Sequence, residues 1–157
     1  MDYGKKQMKK ERRSGICRMS RRVSECLLLW TLGGCIYYFL EITFRGFSHW
    51  SMFVLGGLVL VFCAFQGLAA EWREGLWIQV LRGVAVVASL EFATGIIVNK
   101  WLRLAVWDYS DQPLNLWGQI CVPFLVLFSG LVLLAILLGG TLLHRIYGEE
   151  KPHFHVL

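Results

Sequence analysis

Two glutamates, Glu41 and Glu91, interrupt otherwise apolar stretches of this chain, fifty residues apart. An ionised side chain at the centre of a membrane-length helix costs ~2.5–3.5 kcal/mol on insertion scales. Such residues therefore face a bundle interior and mark proton, ion or substrate chemistry. Arg45 follows Glu41 by four residues with the acid first, the favourable order for an ion pair on a helix. Gly34 and Tyr38 fall on the same side. Glu91, Gly95 and Asn99 recur every four residues and so advance only ~40° each along one helical face. If the two carboxylates approach one another without a cation, they cannot both ionise comfortably, and one holds a proton. Arg45, a bound cation or a cationic substrate would relieve that conflict. The simpler reading of Glu41 is a helix-end ion pair with Arg45. That of Glu91 is a neutral carboxyl hydrogen-bonded to a neighbour.

The densest polar chemistry lies in Trp107–Cys121, W-D-Y-S-D-Q-P-L-N-L-W-G-Q-I-C. Polar side chains interleaved with Trp and Leu suit neither a solvated loop nor a plain span. They suit an interfacial or re-entrant segment, tolerated where protein or a water-filled cavity satisfies the backbone. Asp108 and Asp111 flank Ser110, where local turn and cap bonds are the simpler reading. The expected binding site for a substrate or ion comprises Glu41, Arg45, His49, Glu91, Asn99, Trp107, Asp108, Tyr109, Asp111, Asn115 and Gln119.

Catalytic and cofactor motifs are absent. There is no phosphate loop of the G-x-x-x-x-G-K-[ST] type, no G-x-S-x-G elbow and no H-E-x-x-H. The five cysteines form no C-x-x-C pair, and His144, His153 and His155 lack cysteine or carboxylate partners, so neither a metal nor another cofactor is expected. No enzymatic activity is expected. A lipid-modifying enzyme using His49 or Asp108 as acid or base is the weakest of the alternatives.

The elements that must position these residues are membrane spans. Of the 157 residues, 56% are apolar or aromatic, and mean hydropathy is +0.53, too apolar for a soluble domain of this length and far from disorder. A ~30 Å hydrocarbon core needs ~20 mostly apolar helical residues. Four segments qualify: Ser24–Phe44, Ser51–Ala70, Leu76–Val98 and Gly118–Leu143. All seven tryptophans fall within or near a span end, where an indole places its ring in the apolar boundary and its N–H in water. Nine of the sixteen basic residues precede residue 23, and this run reads as a cytoplasmic tail resting on anionic headgroups rather than a nucleic-acid arm. A cleaved signal peptide is not expected. Both termini are then cytoplasmic, with residues 1–23 a basic tail, 24–143 a four-helix membrane domain and 144–157 a second tail.

The fold class is thus all-α and integral to a membrane, with four transmembrane helices. The parallel placement of Leu40-Glu41 and Leu90-Glu91 admits a duplicated two-helix hairpin about an axis along the membrane normal. Ala85, Ser89 and Ala93 form a small-residue stripe that permits close approach of a neighbouring helix. It lies nearly opposite Glu91, so the third span is expected to be packed on two sides. The glycine pairs Gly33-Gly34, Gly56-Gly57 and Gly139-Gly140 allow similar approach.

The run Trp107–Cys121, with F-R-G-F-S-H-W-S-M-F from Phe44 to Phe53 and the E-x-x-x-G-x-x-x-N element Glu91–Asn99, resembles a bacterial membrane family named for an ABC-transporter type IV permease (CmpB-like). The resemblance covers about residues 25 to 143. It implies a multi-pass subunit of the bacterial cell membrane working with a separate ATPase subunit. Four spans are few for a permease, so a homo-oligomer or other membrane subunits are expected as partners. The expected function is a transport subunit with a polar, outward-facing intramembrane site. The alternative is a non-transporting scaffold or accessory protein.

Overall fold

The computed structural model describes residues 2–155, with the side chains of residues 17–155. The side chains of the basic run Lys5–Arg13 lie outside the described residues. Among the described residues four helices are long and apolar enough to cross a membrane. Helix α1 (Asp2–Arg45) continues without a break from the basic tail into the first span. Helix α2 (Trp50–Ala69) follows a short turn in which Gly46, at φ +78°, ends α1, and His49 caps α2. Helix α3 (Leu76–Gly95) runs on into a π-helical turn, Ile96–Trp101. Helix α4 (Val122–Tyr147) carries Pro at its first turn and ends on the left-handed Gly148.

The fourth helix begins later than its hydropathy suggests. Gly118–Cys121 belong instead to a small antiparallel hairpin, strands β1 (Asn115–Leu116) and β2 (Ile120–Cys121), paired Asn115 to Cys121 and Leu116 to Ile120. Local turn bonds from Asn115 outcompete helix there, and Pro123 then sets the first helical turn. The segment between the π-helical turn and α4 is a folded cap on one end of the bundle, with Val106 and Trp107 buried against Met52 and Val98.

Packing follows the glycines. A Cβ on Gly33 would lie 2.5 Å from the Gly56 carbonyl oxygen, and one on Gly57 would lie 2.6 Å from that of Trp30, so α1 and α2 approach backbone to backbone. Gly67 and Gly140 leave the slot filled by the Trp72 ring, which the α2–α3 turn inserts into the core with Cys63, Val80 and Ile136. Helix α2 touches all three other helices, whereas α1 and α4 barely meet.

The third span departs from expectation. Its buried face runs Gln79, Val80, Gly83, Val87, Glu91 and Gly95, while Ala85, Ser89 and Ala93 are exposed. The helix is packed on one side within this chain, because its intramolecular contacts with α2 and α4 both fall on the face carrying Gly83 and Gly95. Ser89 satisfies itself by donating to the Ala85 carbonyl at 2.8 Å.

The two ends of the bundle differ. One carries both described terminal segments and the α2–α3 turn. There Glu25, fully buried, accepts from Arg21 at 2.9 Å and Arg22 at 2.8 Å, and Arg21 donates to the Tyr147 carbonyl at 2.6 Å. Residues 148–155 form a strap across this end: Phe154 meets Trp72 edge to face at 5.5 Å, and the His155 carbonyl accepts from Leu76 N–H at 2.7 Å. The other end carries the α1–α2 turn and the hairpin cap.

Candidate functional site

The capped end gathers most of the polar residues that the spacing singled out. Glu91 is 2% exposed and accepts a 2.6 Å hydrogen bond from the Tyr37 hydroxyl, which reaches across from α1. Tyr37 stands one helical turn before Glu41 on the same face. Glu41 in turn pairs with Arg45 at 2.5 Å, and the other arm of that guanidinium donates to the Val106 carbonyl at 2.5 Å. Two carboxylates, one guanidinium and a phenol therefore share one corner between α1, α3 and the cap.

The stripe Glu91–Gly95–Asn99 is where the cap is seated. Gly95 has no side chain because the Gln119 amide occupies that space; a Cβ there would collide with its oxygen. Asn99 then grips Gln119, donating to its amide oxygen at 2.9 Å, while the Asn99 oxygen accepts from Val106 N–H at 2.7 Å. The Trp107 indole closes the circuit by donating to the Gln119 carbonyl at 3.0 Å. Gln119 is 1% exposed, and its amide hydrogens go to the Trp117 carbonyl at 3.0 Å. Asn99 lies within the π-helical turn Ile96–Trp101 that ends the third span.

Tyr109 also joins the corner. Its ring stacks on Phe124 at 4.4 Å, and its backbone N–H donates to the Gly118 carbonyl at 2.8 Å. Burial pushes the Tyr109 phenol above its ordinary range, reinforced by the Glu91 charge and opposed by Arg45, so it stays protonated at neutral pH.

The remaining predicted residues sit apart from this corner. The His49 ring nitrogen caps α2, accepting from Ser51 N–H at 3.3 Å and lying 2.9 Å from the Ser51 hydroxyl. Asp108 is on the exposed turn and accepts from the Ser110 hydroxyl at 2.5 Å and the Ser110 N–H at 2.9 Å, bonds that hold its carboxyl below the usual range. Asn115 organises the same turn, donating to the Gln112 carbonyl at 2.8 Å and accepting from Gly118 N–H at 3.1 Å. Asp111 lies exposed beside them.

Two residues of consequence escaped the sequence reading. The spacing reading put Tyr38 on the side of Glu41, but its neighbour Tyr37, four residues before Glu41, is the one that meets Glu91, a selection made by the position of α3. Glu25 falls inside the first predicted span, and its signal was available in Arg21 and Arg22, four and three residues earlier. Among the described residues no group of three or more His, Cys, Asp or Glu side chains is placed to hold a metal.

No curated protein and no solved structure shows significant similarity to the chain. A family profile does match, over residues 24–156, and so includes the C-terminal strap that the motif resemblance left out; the family is described as "Putative ABC-transporter type IV".

Proposed function

The chain belongs to the ABC-transporter type IV family, and from that premise we propose that this multi-pass membrane protein is a transport subunit whose working group is the Glu91 carboxylate. The observation that carries the reading is the placement of Glu91: an acid 2% exposed, within a membrane-spanning helix, held by a phenol from another helix. With Glu41 offset by Arg45, an ionised Glu91 leaves the corner one negative charge in excess. The species it suits is a proton, a cation or a cationic group on a substrate. The cap carrying Trp107, Asp108, Tyr109, Asp111, Asn115 and Gln119 covers this corner, while His49 stands apart from it as the cap of α2. The basic run before residue 23 supports a cytoplasmic termini end and an outward-facing capped end. A separate ATPase subunit and further copies or membrane subunits complete the assembly.

A second reading has its own support. The Asn99–Gln119–Trp107 circuit and the Arg45–Val106 bond satisfy one another, as a scaffold that only fixes helix packing would require. Glu91→Gln separates the two, since an amide oxygen still accepts from Tyr37. The expected result is wild-type folded yield with loss of the transport or growth phenotype. Full phenotype with reduced yield would reject the transport role of Glu91. In parallel, a chain that never co-purifies with a nucleotide-binding subunit from mild detergent would reject the ATPase partnership.

A further inference from the structure

Helices α1 and α4 are joined at the termini end only and part along the rest of their length. At the termini end, Arg21 donates to the Tyr147 carbonyl at 2.6 Å, and the Ser24 and Tyr147 hydroxyls lie 2.9 Å apart. At the capped end, α1 turns instead to α3 and the cap, through Tyr37–Glu91 and Arg45–Val106. Between these clasps lies a half-open cleft of about 680 Å³, walled by α1 and α4 and floored by α2. That volume is in the range of small-molecule sites, ~300–1,000 Å³.

The lining decides the chemistry. It is aliphatic and aromatic apart from two hydroxyls, and both are already committed: Tyr37 donates to Glu91, and Thr141 donates to the Leu137 carbonyl at 2.7 Å. The cleft offers no free hydrogen bond to a polar guest. Along α4 it extends from Phe128 to Thr141, ~20 Å at ~1.5 Å per residue, longer than the ~15 Å that one leaflet contributes to a ~30 Å core. A void of this size forfeits dispersion contacts along its walls, and in a bilayer the material at hand is lipid tail.

The α4 wall also carries a charge at its foot. Leu131, Leu134, Leu138 and Thr141 succeed one another at three- and four-residue steps, and the next member of that stripe is Arg145. Arg145 stands exposed in the last turn of α4 and has no ion-pair partner among the described residues. An elongated apolar slot ending beneath a cation at the membrane boundary is complementary to one class of molecule.

We propose that the α1–α4 cleft binds the acyl chain of an anionic phospholipid, with the lipid phosphate on Arg145. This site shares only the Tyr37 ring with the Glu91 corner and does not rest on the transport reading. The guanidinium meets the phosphate oxygens by charge-assisted hydrogen bonds, and the tail lies between Leu138 and the Tyr37 ring.

The test is native mass spectrometry of the full chain in mild detergent, with phosphatidylglycerol or phosphatidylcholine of matched tails added. One phosphatidylglycerol is expected per chain, retained about fivefold better than phosphatidylcholine, as one basic side chain at an anionic surface supplies. Arg145→Gln should abolish that preference, and Arg145→Lys should restore most of it. Leu138→Trp, or Leu134→Trp at a more exposed point of the wall, should displace both lipids, while Ile146→Trp on the same helix outside the cleft should displace neither. Equal retention of the two lipids by the wild type would overturn the proposal. So would undiminished phosphatidylglycerol on both tryptophan variants of the wall, or a lipid-free dimer cross-linked through Leu138→Cys.

Discussion

At the scale of single residues, the Glu91 corner is an instance of a general constraint. A buried carboxyl in a membrane helix must find a donor within the protein, and Tyr37 is that donor at 2.6 Å. Interhelical hydrogen bonds in membranes average ~0.6 kcal/mol and reach ~1.7 kcal/mol. Tyr37→Phe, which removes only the hydroxyl, is expected to cost about 1–1.7 kcal/mol, in the upper part of that range because Glu91 keeps no other described side-chain donor. Reversible unfolding in mixed micelles measures this, and an unchanged midpoint would mean that the bond contributes nothing. The sequence identified Glu91 by its unusual place in an apolar run. It could not identify Tyr37, whose partner stands fifty-four residues away on another helix.

At the scale of elements, the helices are placed by what their glycines omit. Spans can be read from hydropathy because a bilayer core demands a length of apolar helix whatever its neighbours are. Which face packs is a different matter. Ala85, Ser89 and Ala93 have the spacing of a packing stripe yet are exposed, while Gly83 and Gly95 do the packing, against Val132 and the Gln119 amide. Small size permits approach, but the partner's side chain selects which small position is used. Gly140 shows how closely: a Cβ there would run into the Trp72 ring and lie 3.4 Å from Pro152. Gly140→Ala is therefore expected to cost about 1–3 kcal/mol, as overpacking does, whereas Gly130→Ala on the same helix, with open space around it, should shift stability by less than ~1 kcal/mol. Thermal unfolding of the two variants side by side tests the contrast, and equal losses would refute it.

At the scale of the whole molecule, polar contacts hold the two ends and glycine-mediated packing holds the middle. The C-terminal strap belongs to this plan. It supplies a carbonyl to the first amide of α3, which has no side-chain cap, and lays Phe154 on Trp72. Phe154→Ala should lose about 0.5–1.5 kcal/mol from the aromatic pair alone and release residues 148–155 to protease. Cleavage in that segment at the wild-type rate would show that the contact does not hold the strap down.

The sequence by itself determined the class, the four spans, the even count that returns both ends to one side, and the two acids stranded in apolar helix. These follow from the bilayer, which acts on each segment separately and so leaves its mark in local composition. The tertiary structure alone decided that Tyr37 serves Glu91 and that Gln119 fills the space at Gly95. It alone showed that Arg45, paired with Glu41, braces the cap at Val106, and that α1 and α4 part around a cleft. Each of those depends on which faces meet, and packing between helices is settled by shape complementarity among residues far apart in the chain.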